Sequence, residues 1–313
     1  GQEIITASDA QHGAVNHGDR LVVATWNIHY ACGSSLEVGR FASRDQVLEW
    51  LTSISDQIRA WDADIVALQE VDRAATRTHD VDQVRWLMES TGMPYAAWTP
   101  TWDARWVPHP GLDPRRQIGR VYSGQVILSR FPLTELESHP LPQPAAQGLL
   151  YNLFYLHRAL TEVRVDLGEG RNLRLVNAHL EAFDVENRTE HARRTASLLQ
   201  GTQPLSVLLG DMNSVPPEAS LRSDFPDEPE TDMSEDRTLE TLRSIEGLRE
   251  VVPTEVYAAQ ESSWWTFPAH APNRRLDYLF HGAGLALADA HVPRLSDAPS
   301  DHLPVVATFR IEP

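Results

Sequence analysis

The stretch Ser206-Val207-Leu208-Leu209-Gly210-Asp211-Met212-Asn213-Ser214 constrains this chain more than any other. An apolar, strand-like run stops at a glycine, and an acid and an amide follow with one residue between them. Alternation along an extended chain puts Asp211 and Asn213 on the same side. Gly210 lets the backbone turn where the strand ends. A carboxylate and a carboxamide are thereby delivered together at the edge of a buried sheet, where α/β folds carry out chemistry. The competing reading is an Asx turn after a core strand, because Asp and Asn hydrogen-bond their own backbone in turns. The other strand ends decide between the two.

Apolar runs of the same kind recur along the sequence. Leu21 to Ile28 is near-continuously apolar, reads as a strand buried on both faces, and carries Asn27 at its end. Asp64 to Glu70 is a second strand, closing on Glu70. Between them Val47, Leu48, Leu51, Ile54, Ile58 and Trp61 recur at helical spacing, so Ser43 to Trp61 reads as an amphipathic helix in a βαβ-like unit. Asp80 to Thr91 reads as a helix stopped by Gly92, Tyr95 to Trp98 as a strand, and Gln125 to Arg130 as a buried strand. Arg158 to Asp166 and Leu173 to Leu180 pair as a hairpin about Gly168-Glu169-Gly170, and the second of these strands ends in His179. A helix covers Glu186 to Gln200. Further strands are read at Trp264 to Phe267, at Arg275 to Phe280 with Asp277 inside it, at Leu285 to Val292 and at Val305 to Ile311. Ser300-Asp301-His302-Leu303-Pro304 precedes the last one.

The segments between are less regular. Residues 1–20 read as a loose lead-in, and 21–313 as a single domain, since no break in composition divides them. Thr99 to Arg120 reads as a long loop, in which Trp102 and Trp106 argue against disorder; it is either a surface loop pinned by packed Trp rings or a rim for substrate entry. Pro140 to Gly148 reads as a linker. Pro216 and Pro217 can start a helix. Asp224 to Asp236 reads as a solvated acidic loop, with a low-affinity calcium site as the alternative.

Charge narrows the partners. The 313 residues carry 27 Lys and Arg against 44 Asp and Glu, a formal net charge of -17. A protein that neutralises many phosphates normally presents a basic face, so nucleic acid is disfavoured. No apolar stretch is long enough to span a bilayer. Cys32 is the single cysteine, which leaves the redox compartment open. The start at Gly1 without an initiator Met neither shows nor excludes a removed signal peptide; the location is left open, with secreted or periplasmic slightly favoured over cytoplasmic, and a monomer is expected.

Strand ends and edges thus carry Asn27, Glu70, His179, Asp211, Asn213, Asp277, Asp301 and His302. Carboxylates and amide oxygens are the hard donors that Mg²⁺ prefers. No HExxH, Cys/His cluster, GxSxG or Walker A loop points elsewhere. Oxygen ligands with histidines suit phosphate ester hydrolysis: a metal polarises the phosphoryl oxygen, an acid activates water, and imidazoles and amides hold the developing charge.

Trp26-Asn27-Ile28, Leu68-Gln69-Glu70, Val126-Ile127-Leu128-Ser129-Arg130, Asn177-Ala178-His179-Leu180, Gly210-Asp211-Met212-Asn213, Arg275-Leu276-Asp277-Tyr278 and Ser300-Asp301-His302 come in one order. That series resembles the endonuclease/exonuclease/phosphatase superfamily, the set of class I deoxyribonuclease, abasic-site nuclease and neutral sphingomyelinase. The resemblance runs from about Leu21 to Ile311. It implies an α/β fold, a four-layer α/β/β/α sandwich of two mixed or antiparallel sheets flanked by helices. It implies Mg²⁺ or Mn²⁺ at Glu70, with Asn27 and Asp301 near the metal. It implies that Asp211 orients or deprotonates the attacking water, that Asn213 and His179 contact the phosphate, and that His302 acts as acid/base with Asp277 orienting its ring. Arg158 resembles an arginine of the lipid-cleaving branch and is a further phosphate contact. Arg274-Arg275-Leu276-Asp277 and Asp211-Met212-Asn213-Ser214 depart from the inositol-polyphosphate 5-phosphatase pattern, and Gln125 stands where many relatives carry Asn. The expected activity is hydrolysis of a phospholipid head group or other small phosphodiester. A metal-dependent nuclease is the alternative, and a binding module without catalysis a third reading.

Overall fold

Alternation of apolar side chains decides how the strands stack. In the computed structural model, which describes residues 1–8, 10, 19–34, 42–107, 117–144 and 157–312, the strands form two main mixed sheets. The first has β1 (Glu3–Thr6), β4 (Tyr95–Val107), β5 (Gly119–Ser129), β3 (Ile65–Asp72), β2 (Arg20–Asn27), β15 (Val305–Ile311) and β14 (Leu285–His291), in that spatial order. The second has β12 (Leu248–Glu250), β13 (Asp277–Gly282), β9 (Ser206–Asp211), β8 (Asn172–His179), β7 (Ala159–Asp166) and β6 (Leu133–Pro140). One central pair in each sheet is parallel, β2 with β3 and β8 with β9.

One face of each sheet meets the other sheet. Leu21, Val23, Ile65 and Ala67 pack with Leu173, Leu175, Val207, Leu209 and Leu279. The alternate residues face outward onto helices. Val22, Ala24, Trp26, Val66 and Leu68 meet α1 (Arg44–Ala60) and α2 (Gln83–Thr91). Val176, Ala178, Leu208 and Phe280 meet α3 (Val185–Leu199) and α4 (Thr238–Arg243). Continuously apolar strands are therefore buried on both faces, and the layers run helix, sheet, sheet, helix as expected. Side-chain caps begin the three longer helices: Ser43 exchanges hydrogen bonds with Gln46 in a capping box, Asp82 accepts from the Arg85 amide, and Asp184 accepts from the Asn187 amide. A short fifth helix, α5 (Thr254–Ala259), follows β12.

Several expectations are corrected. Glu3–Thr6, part of the supposed loose lead-in, pairs with β4 as an edge strand. Much of the supposed long loop is strand: β4 runs on to Val107 and β5 starts at Gly119, with register shifts near Pro100 and Ala104 that hide the alternation. The rest of that loop, 108–116, and residues 145–148 of the linker lie outside the described residues. β6 is a polar edge strand with no apolar period to announce it. Pro216 and Pro217 start only a turn, not a helix. The acidic stretch 224–236 contains a hairpin, β10 (Ser223–Phe225) and β11 (Glu228–Asp232). Trp264 to Phe267 is no strand; Phe267 alone bridges Arg274. Asp277 opens β13 rather than lying inside a strand.

Candidate active site

The inward parity that fills the core with Leu and Val continues to one end of the sandwich, where the residue type changes. Thr25 and Asn27 follow Leu21 and Val23 on β2, Gln69 follows Ala67 on β3, Asn177 and His179 follow Leu175 on β8, and Asp211 follows Leu209 on β9. Register lines them up: His179 lies opposite Asp211, and Asp211 opposite Asp277. Gly210 permits this alignment. It has φ +137° within β9, and a Cβ there would sit 1.9 Å from the Ala178 carbonyl oxygen. The glycine thus serves close approach of two strands, not the turn that sequence suggested.

A polar layer bolts the sheets together beneath the tips. Gln69 Nε2 donates to Asn177 Oδ1 at 2.7 Å and to Thr25 Oγ1 at 3.0 Å, and Asn177 Nδ2 donates to the Leu68 carbonyl at 3.1 Å. Above it, Asn27 Nδ2 donates to Asp211 Oδ2 at 3.1 Å, while Asn27 Oδ1 accepts the His29 amide at 3.0 Å. Asp211 Oδ1 accepts the Asn213 amide at 2.9 Å. The Asx turn is therefore real, and it places Asp211 and Asn213 in the cleft. Asn213 takes φ 51° and donates its side-chain amide to the Leu180 carbonyl.

Glu70 reaches the same space by a different device. It takes φ 53°, and β3 and β5 lose register between Leu68 and Val71. A bulge with a left-handed non-glycine residue re-aims a side chain at local backbone cost. The Glu70 carboxylate lies 3.8 Å from His179 Nε2 and accepts no hydrogen bond among the described residues.

The segment with Asp301 and His302 is clamped to β2. Trp26 Nε1 donates to the His302 carbonyl at 2.8 Å, Ser300 Oγ donates to the Asn27 carbonyl at 2.7 Å, and the His302 amide donates to Ser300 Oγ at 3.2 Å. His302 Nδ1 meets Asp277 Oδ2 at 2.8 Å, and its Nε2 faces Asp211 Oδ2 at 3.7 Å. Asp277 is fully buried and its Oδ1 has no hydrogen-bond partner among the described residues. Arg158 Nη1 approaches His179 Nε2 at 2.6 Å, so that nitrogen accepts and the ring is neutral there.

Burial and neighbours set the protonation states. Burial pushes the Asp211 carboxyl up to about 7, against the His302 charge, which favours ionisation. Burial would lower His302, but the Asp277 carboxylate and then Asp211 outweigh it and raise the imidazole to about 10. Burial, with Arg158 and His302 beside it, holds His179 well below the usual imidazole range. An acid that resists ionising thus faces an imidazole that resists losing its proton.

Asn27, Glu70, Arg158, His179, Asp211, Asn213, Asp301 and His302 all line one cleft of about 1020 Å³, and Asp277 lies directly behind His302. Gln125 does not line the cleft. It bonds the Ala159 carbonyl at 2.8 Å, beside Arg158. Sequence reasoning missed Gln69 and Asn177, which sit at inward parity next to Glu70 and two residues before His179. It also missed one wall, where Arg77 is bidentate to Asp72 and stacks 3.2 Å over the Tyr30 ring.

The donor set fits a hard divalent cation. Glu70 is a partly buried carboxylate with no hydrogen-bond donor among the described residues, Asn27 Oδ1 keeps a second lone pair, and Asp301 faces the same cleft. Asp211, Asp277 and His302 also offer atoms within 4.8 Å of one another. Since Asp277 occupies His302 Nδ1, that group reads as a proton-handling set rather than a ligand set.

A mixed-sheet sandwich whose strand tips converge carboxylates, amides and imidazoles defines a class of phosphoester hydrolase. The chain belongs to the endonuclease/exonuclease/phosphatase family, whose profile matches residues 24–302. Members of that family act on phosphoester bonds with a divalent metal. Similar solved structures include an endonuclease/exonuclease/phosphatase from Beutenbergia cavernae (22% identity, TM-score 0.61, 94% of this chain and 72% of that chain). They also include a mannosyl-6-phosphatase from Bacteroides thetaiotaomicron (16%, 0.56, 92% and 99%) and D. rerio TDP2 complexed with a single-strand DNA product (17%, 0.57, 93% and 99%). At these identities the likeness concerns the fold. No curated protein sequence matches the chain.

Proposed function

We propose that the chain is a Mg²⁺- or Mn²⁺-dependent phosphodiester hydrolase acting on a phospholipid head group or another small phosphodiester. The observation that carries this reading is the opposed pair at the cleft floor: an Asp211 carboxyl pushed up by burial facing a His302 ring that Asp277 keeps protonated. Asn27, Glu70 and Asp301 would hold the cation, which supplies charge to a phosphoryl oxygen. Asp211 accepts a proton from the attacking water. His302 donates from Nε2 to the departing oxygen, and Asp277 fixes its tautomer from Nδ1. Arg158, coupled to His179, and the Asn213 amide hold the phosphate oxygens.

The net charge of -17 supports a small or lipid diester over nucleic acid. A panel of phosphodiesters and phosphomonoesters, assayed with Mg²⁺, Mn²⁺ and Ca²⁺, tests the reading. Diester turnover lost in EDTA and in Asp211→Ala is the expected result; turnover that persists in EDTA refutes it. Plasmid nicking in preference to small diesters would assign the site to a nuclease instead.

A further inference from the structure

We infer that Phe183 is a specificity residue that receives an apolar arm, aryl or alkyl, of the phosphodiester; this rests on the hydrolase reading above. Phe183 stands four residues after His179, lines the same cleft, and is 84% exposed. A lone exposed phenyl on a mobile loop would mean little. Here the loop is fixed on both sides. The buried Arg188 donates from Nη1 to the carbonyls of Glu181 and Ala182, each at 2.9 Å, and its Nε is anchored by Asp236 at 2.8 Å. The Phe183 amide donates to Glu181 Oε1 at 3.1 Å, and the Glu181 amide donates to His191 Nδ1 at 3.2 Å. On the other side Asp184 caps α3.

Leu180 and Glu181 are buried, so the chain turns its neighbours inward and this ring outward. Those bonds hold the Phe183 backbone in place at the cleft. The exposed ring thus presents an apolar face in the cleft that Arg158, His179 and Asn213 also line. Apolar side chains of Trp50, Trp102, Ile118 and Leu295 line other parts of the cleft. Its volume of about 1020 Å³ leaves room beyond a phosphate for such an arm.

Competitive inhibition of bis(4-nitrophenyl) phosphate hydrolysis by methyl, hexyl and phenyl phosphate tests the inference in the metal-loaded enzyme. The wild type is expected to bind hexyl and phenyl phosphate more tightly than methyl phosphate. Phe183→Ala should weaken the two larger inhibitors about tenfold, as loss of part of a buried phenyl contact implies. Methyl phosphate affinity and kcat should stay within about twofold, and Phe183→Leu should retain the preference. Equal weakening of all three inhibitors, or none, overturns the inference. So does a defect confined to activity on phosphatidylcholine vesicles, which would make Phe183 a membrane contact. Absence of wild-type diester turnover would instead refute the hydrolase reading itself.

Discussion

The β10–β11 hairpin and the cleft at the strand tips both withdraw carboxylates from water, and they treat them differently. At the hairpin, Asp227 takes two nearly parallel bonds from Arg274, 2.8 Å each, and Glu228 takes a third at 2.9 Å. Burial pushes the Asp227 carboxyl up, but the Arg274 fork wins and holds it below its ordinary value. Nearby, Asp236 and Arg188 are matched in the same way with almost no exposure. In the cleft the balance reverses. Asp211 is raised, and Glu70 accepts no hydrogen bond among the described residues. Even a potential ligand cluster elsewhere, Glu137, His139 and Glu162, falls on the matched side, since Arg174 forks Glu162 at 2.7 and 3.0 Å. Acids with fitted cations hold the fold together. Acids without them are poised for a ligand or a proton.

The largest test of this contrast is Asp211→Asn. Turnover should fall by about 10³-fold, roughly 4 kcal/mol of barrier, while stability stays level or rises, because a costly buried charge is gone. The wild-type rate should rise with pH as Asp211 ionises. A cation at Glu70 favours the carboxylate and draws that limb below about 7, so a limb above it contradicts the assignment.

Breaking a matched pair should do the opposite. Asp236→Ala leaves the Arg188 charge buried and is expected to cost about 3 kcal/mol in denaturant unfolding.

His191 gives a smaller effect with a defined sign. Its Nδ1 accepts the Glu181 amide and its Nε2 contacts the Pro142 carbonyl at 2.7 Å, so the ring is bound neutral. Burial lowers it to about 4. The unfolded chain, with a pKa near 6.5, therefore binds more protons between those values. Stability should fall by about 2 kcal/mol from pH 7 to pH 5, a slope that His191→Gln removes. The smallest effect is expected at the exposed Glu190–Arg194 pair on α3, 2.8 Å apart, where Arg194→Ala should shift unfolding by less than about 0.5 kcal/mol.

The layers and the cleft were legible because both follow from one rule. Apolar strands of period two, each closed by a polar residue, must aim those residues at a common edge when the sheets stack, and the ordered motifs carried Asn27 through His302 to that edge. What escaped the sequence had no period to show. β6 is polar on an edge, the β4–β5 extension is broken by bulges, and the 224–236 acids look solvated until Arg188 and Arg274 are seen beside them. Gln69 and Asn177 hid inside core strands, although their parity matched that of the tips. Arg77 and Phe183 belong to the cleft through folding of loops, which alternation does not encode.

Anomalous diffraction from crystals soaked in Mn²⁺ tests the central contrast most directly. The expected result is a peak at the Glu70 carboxylate within the cleft, lost in Glu70→Gln, with none beside Asp227, Asp236 or Glu162. A peak at one of those arginine-matched acids, or a cleft that stays free of Mn²⁺ at saturating concentration, would contradict it.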